Sequence, residues 1–254
     1  MHLSLISPSP FLIFSSSTVP PLTLLQAGEI SLDGQFLWGS NYTLFVTVCL
    51  GNETAQAVYK PTRGERPLWD FPTATLALRE VAAYLASEQL GWQLVPPTVF
   101  REDGPLGPGS LQLYMEHDEN YHYFNFTPED RQRLRPTALF DFIINNADRK
   151  GGHIIKGGDG HLWLIDHGIC FHEDPKLRTV IWDFAGEPLP DALCADLHRF
   201  REQLEPGRKG QAALEPYLIS REITALARRA DRLLSANIFP RTPRNARPYP
   251  WPLV

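Results

Sequence analysis

Three side chains in one short stretch are suited to phosphate chemistry: Asp148, His153 and Asp166. Asp148 and His153 stand in the loop Asn146-Ala147-Asp148-Arg149-Lys150-Gly151-Gly152-His153. Ile154-Ile155-Lys156 and Leu162-Trp163-Leu164-Ile165 then read as two short strands joined by Gly157-Gly158-Asp159-Gly160, whose glycines accept positive φ. Antiparallel strands of matched length return the chain to the edge where it started, so Asp148, His153 and Asp166 are expected to converge in an acidic, oxygen-rich pocket. One carboxylate of such a pocket can orient or deprotonate a hydroxyl while the other holds a divalent cation against nucleotide phosphates.

The elements that must position this stretch lie before it. An apolar helical run, Leu139 to Ile144, stops at Asn145-Asn146 and delivers the loop. Far upstream, the strand Ala55-Gln56-Ala57-Val58-Tyr59 ends on Lys60, and a helix over 75–90 closes at Gly91. A strand-end lysine paired with a helical glutamate is how kinase-like folds grip the α- and β-phosphates. Lys60 is therefore the expected phosphate lysine, with Glu80 as its partner and Glu88 as the competing choice. Strand-like alternation over 29–36, 38–42 and 43–50 surrounds a Gly-Ser-Asn loop in which Ser40 and Asn41 can present backbone N–H groups to a nucleotide. Strands at 95–101 and 110–116 follow, and Glu116-His117 falls where a hinge would meet an adenine edge.

On these residues the chain resembles the type II phosphatidylinositol 4-kinases and, more distantly, the HipA-like atypical kinases. The shared pattern is an N-x-D-R loop, here Asn146 to Arg149, followed by I-D-x-G-x-x-F, here Ile165 to Phe171. As a whole it looks like a bacterial family of PI3/4-kinase-like proteins. The resemblance implies a two-lobed α+β, protein-kinase-like (PI3/4-kinase-like) fold with an antiparallel-sheet N-lobe and a mainly helical C-lobe. It also implies ATP with Mg²⁺ or Mn²⁺ as cofactors. Asp148 would be the catalytic carboxylate, Arg149 would brace it or neutralise transferred phosphate, and Asp166 with His153 would hold the metal. The family pattern has Asn where this chain has His153, a nitrogen donor better suited to Mn²⁺ or Zn²⁺ than to Mg²⁺. The implied activity is phosphoryl transfer to a hydroxyl of a protein, a small metabolite or a phosphoinositide-like lipid. A nucleotide-binding pseudokinase, a nucleotidyltransferase on the same fold and a histidine-based metallohydrolase are the other classes weighed.

Composition bounds these readings. The 254 residues suffice for two lobes, and the net charge of -5 offers no basic footprint for nucleic acid. Three cysteines without paired spacing suit a reduced, cytoplasmic protein. Residues 1–26 are apolar and Ser/Pro-rich but lack a basic n-region, so they read as a disordered extension or a misassigned start rather than a signal peptide. No later run is long and apolar enough to span a bilayer. The expected layout is an N-lobe over 27–116, a C-lobe over 117–238 and a Pro-rich tail over 239–254 that folds back on the C-lobe. A strand over 178–184 and helices over 191–204, 211–217 and 220–236 complete it.

Overall fold

The computed structural model describes residues 19–35, 42–243 and 247–254. Ser40 and Asn41 lie outside the described residues.

The N-lobe is a five-stranded antiparallel sheet in the order β1-β2-β3-β5-β4, from β1 (Glu29–Gln35), β2 (Leu44–Leu50), β3 (Glu53–Pro61), β4 (Thr98–Arg101) and β5 (Gly109–Leu113). Its register follows from side-chain alternation: Leu44 pairs with Tyr59 and Val46 with Ala57, and all four are buried on one face. Because successive side chains alternate faces, the inward Tyr59 sends Lys60 to the other face. A helix, α1 (Pro21–Ala27), packs Leu24 and Leu25 into the buried face. The Arg101 guanidinium fixes it by donating to the carbonyls of Leu25 at 2.8 Å and Gly28 at 2.9 Å. Helix α1, opened by Pro21, falls within the stretch 1–26 expected as an extension, of which residues 19–26 are described.

The helix α2 (Leu76–Leu90) ends at Gly91 in the left-handed conformation, whose N–H donates to the carbonyls of Glu88 and Ser87. It packs on β4 and β5, yet Ala82, Ala83, Tyr84, Ala86 and Leu90 belong to the core of the second lobe. That C-lobe contains α3 (Pro128–Gln132), α4 (Arg135–Ile143), the hairpin β6 (Ile154–Lys156) and β7 (Leu162–Leu164), α5 (Asp191–Gln203), α6 (Lys209–Leu214) and α7 (Ser220–Ala236). Thr127 caps α3 by accepting from the Asp130 N–H at 3.2 Å.

One expectation fails here. Residues 178–184 do not form a strand; only Thr179 makes an isolated bridge, to Arg149, while the Arg178 N–H donates to the Asn146 carbonyl and the Val180 N–H to the Arg149 carbonyl, which ties the segment to the 146–149 loop. Helix α7 begins at Ser220 as expected, and Glu222 in its first turn accepts from the Ile219 N–H at 3.2 Å.

Candidate active site

A cavity of about 600 Å³ separates the lobes, within the range of small-molecule sites. Val58 and Leu113 form its N-lobe wall and Ile155 and Ile165 its C-lobe wall, an apolar slot suited to a flat ring. His117 lines it and its Nδ1 lies 2.7 Å from the Met115 carbonyl, whereas Glu116 is exposed and outside the lining.

At the polar end, Lys60 Nζ donates to Glu80 Oε1 and, at 3.0 Å, to Asp166 Oδ1. The second oxygen of Glu80 accepts from the His167 N–H at 2.9 Å. One carboxylate on α2 thus fixes both Lys60 and the backbone after Asp166. Glu88, the competing residue, is exposed near the far end of α2. The close approach of α2 requires Gly168, where a Cβ would meet Leu76 Cβ at 3.3 Å. Asp166 sits at φ +62° and Phe171 at +68°, left-handed positions costly for side-chain-bearing residues, so this segment is held in shape by its surroundings. Partial burial alone would lower the Lys60 ammonium, but the Asp166 and Glu80 carboxylates overcome it and raise its pKa. Lys60, with His153 next, holds Asp166 well below the usual carboxylate range.

His153 Nε2 lies 3.3 Å from Asp166 Oδ2, and its Nδ1 is buried without a hydrogen-bond partner. Burial pushes its pKa down to about 4, so the ring is neutral and has a lone pair to offer. Among the described residues no cluster of three or more His, Cys, Asp or Glu side chains is arranged to hold a metal ion. Asp166 and His153 are the two donors here that could hold a cation, with phosphate oxygens and water as its further ligands.

Asp148 stands beside this group rather than in the cavity lining. Its carboxylate is 3.4 Å from Lys150 Nζ, and burial, with Asp166 adding repulsion, pushes its pKa up to about 6. Arg149 is fully buried. It donates to Asp141 at 3.0 Å, to the carbonyls of His153 at 3.1 Å and Ile165 at 3.0 Å, and to His167 Nε2 at 2.7 Å. So engaged, it ties the two ends of the hairpin together. Asp141, which also accepts from Asn146 and Thr179 and was not singled out in the sequence, and the buried His167 complete this knot. The signal was present for Asp141: a charged residue inside the apolar run of α4 must be buried, and a buried carboxylate needs partners.

No protein-family model matches the chain. It is 40% identical over 264 residues to protein Rv2133c of Mycobacterium tuberculosis, covering 90% of this chain and 94% of that protein. The chain belongs to the Rv2133c family. This Rv2133c-family chain is also 34% identical over 143 residues to phosphatidylinositol 4-kinase gamma 4 of Arabidopsis thaliana, matching 44% of its own length but only 25% of that kinase. It superposes on the Golgi casein kinase, solved with Mn/ADP bound, with a TM-score of 0.54 at 17% identity, covering 85% of this chain and 74% of that one. The Rv2133c-family fold is thus a protein-kinase-like one, with an antiparallel N-lobe and a helical C-lobe. No described helix is long and apolar enough to cross a membrane.

Proposed function

We propose that this chain is an ATP- and divalent-metal-dependent phosphotransferase that moves the γ-phosphoryl group to a hydroxyl acceptor. The observation that carries the reading is Lys60, shared between Glu80 and Asp166 at the polar end of an apolar slot between the lobes. The adenine ring would lie in the slot, and Lys60 would hold the phosphates, kept extended by Glu80. Asp166 and His153 would hold the cation, which supplies charge neutralisation on the phosphates when bound. Asp148, with its raised pKa, would take the acceptor's proton as the new P–O bond forms and the bond to ADP breaks. Arg149 keeps the two hairpin ends at their separation through the His153 and Ile165 carbonyls. The chain's likeness to part of a phosphatidylinositol 4-kinase supports the chemistry, and fold alone does not choose the acceptor.

Thermal shift with Mg²⁺–ATP or Mn²⁺–ATP on wild type and Asp166→Asn tests this. A ligand present at a hundredfold excess over its Kd stabilises by roughly 2.7 kcal/mol, and the expected result is that shift in wild type and its loss in the variant. No response of wild type to any metal–nucleotide would remove the kinase reading. ATP labelled at the α or γ position then separates nucleotidyl from phosphoryl transfer.

A further inference from the structure

The C-terminal segment 247–254 crosses the catalytic loop. The Gly151 N–H donates to the Leu253 carbonyl at 2.8 Å, and the Thr179 N–H donates to the Pro248 carbonyl at 3.0 Å. Val254 lines the cavity together with His153 and Asp166. Two glycines lie under the segment: a Cβ on Gly151 would meet the Phe124 ring at 2.8 Å and the Leu253 carbonyl at 3.5 Å, while one on Gly152 would be in ordinary contact with Val254 Cγ1 at 3.7 Å. At Gly151 the absent side chain lets the Phe124 ring and the segment's backbone lie close together. What holds the segment is mostly main-chain hydrogen bonding. Pro250 is buried, but Trp251 is 76% exposed and Val254 56%. A segment burying so little apolar surface is weakly held and displaceable.

We propose that the strip carrying Gly151 and Thr179 is a docking site for a proline-rich peptide, and that residues 247–254 occupy it in cis as a strap that must leave before an acceptor enters. The occupant seen is a bent segment with Pro248, Pro250 and Pro252, and the N–H groups at Gly151 and Thr179 recognise peptide carbonyls whatever the side chains. Val254 of the strap lies in the cavity lining with His153 and Asp166, so this inference rests on the phosphotransferase reading for its purpose but not for its detection.

The test uses the full chain with Pro250→Asp and Leu253→Asp, which charge the strap's buried position and bring a carboxylate toward an already acidic site. Amide exchange is followed by NMR at Gly151 and Thr179. A fluorescent peptide of sequence Arg-Pro-Tyr-Pro-Trp-Pro-Leu-Val is titrated by anisotropy. The expected result is about tenfold or greater faster exchange at both amides, with saturable peptide binding to the variant and none to wild type. Unchanged exchange would show that the segment is a fixed part of the lobe, and faster exchange without peptide binding would show that the strip is no peptide site. Either overturns the proposal. Both readouts need no nucleotide, so failure of metal–ATP binding is a separate result and bears only on the phosphotransferase reading.

Discussion

Asp148 and Arg149 are neighbours with opposite consequences for stability. The folded protein raises the Asp148 pKa to about 6, chiefly by burial. A carboxyl whose pKa rises on folding favours the folded state fully below its ordinary value, and that contribution is lost as pH rises through 6. At pH 7.5, without metal, ionised Asp148 therefore works against folding, and Asp148→Asn should raise unfolding free energy by about 1–3 kcal/mol. At pH 4 the same substitution should change little. Urea denaturation in EDTA at the two pH values measures this, and an Asn variant no more stable at pH 7.5 would contradict it. In wild type the transfer rate should rise with pH through 6 and level off as the carboxylate forms. Arg149→Ala leaves the buried Asp141, whose carboxyl pKa burial already pushes up, without its guanidinium, at a cost of about 3–5 kcal/mol. Arg149→Lys should not rescue it, because an ammonium cannot reach Asp141, two carbonyls and His167 at once. At this scale the sequence showed which residue types could do chemistry, since Asp148, His153 and Asp166 flank a hairpin that spacing alone defines. It did not show which way Arg149 pointed, because that is decided by Asp141 and His167, its partners eight and eighteen positions away.

Among the elements, α2 decides the state of the site. It carries Glu80 toward Lys60 and, one residue earlier, the buried Arg79, which donates to Glu222 of α7 at 2.6 Å and to the Cys170 carbonyl at 2.7 Å. Lys60 is thereby held against a helix pinned to the C-lobe. Arg79→Ala should cost about 3–5 kcal/mol by stranding Glu222 and should weaken metal–ATP binding by loosening Glu80. Replacing both partners, Arg79→Met with Glu222→Leu, should recover much of the stability, since apolar residues of similar volume often equal a buried pair. Denaturation curves and nucleotide titrations of the two variants check both statements; equal loss in the single and double variants would mean that the pair does not act as a unit. Helix α2 itself was legible from its apolar run and closing glycine, and the β6–β7 hairpin from its turn glycines. The false strand over 178–184 had the right alternation, but a strand needs a partner along its length and this segment found one only at Thr179.

The molecule as a whole joins its lobes through shared core rather than a flexible connection. The sheet of the N-lobe has its own apolar cluster with α1, but α2, which packs on β4 and β5, has its main apolar face in the C-lobe cluster. If the C-lobe opens, α2 loses most of its packing, and the sheet surface it covers meets water. Lys60 loses Asp166 at the same moment. The two lobes should then open as one unit: under native-state hydrogen exchange, the slowest amides of β3 and of α4 should report the same opening free energy and the same denaturant dependence. Arg79→Ala, which cuts the link to Glu222, should separate them, with β3 and α4 opening at distinct free energies. Coincident values in wild type that part in the variant would show that cooperativity between lobes passes through α2. Distinct values already in wild type would mean that each lobe folds alone and that the cleft is assembled only on docking. Order along the chain gave the two lobes, but their coupling rests on Arg79 and Glu222, which stand 143 residues apart. Neither has any local feature that announces the other, so this link becomes visible only once the chain has folded.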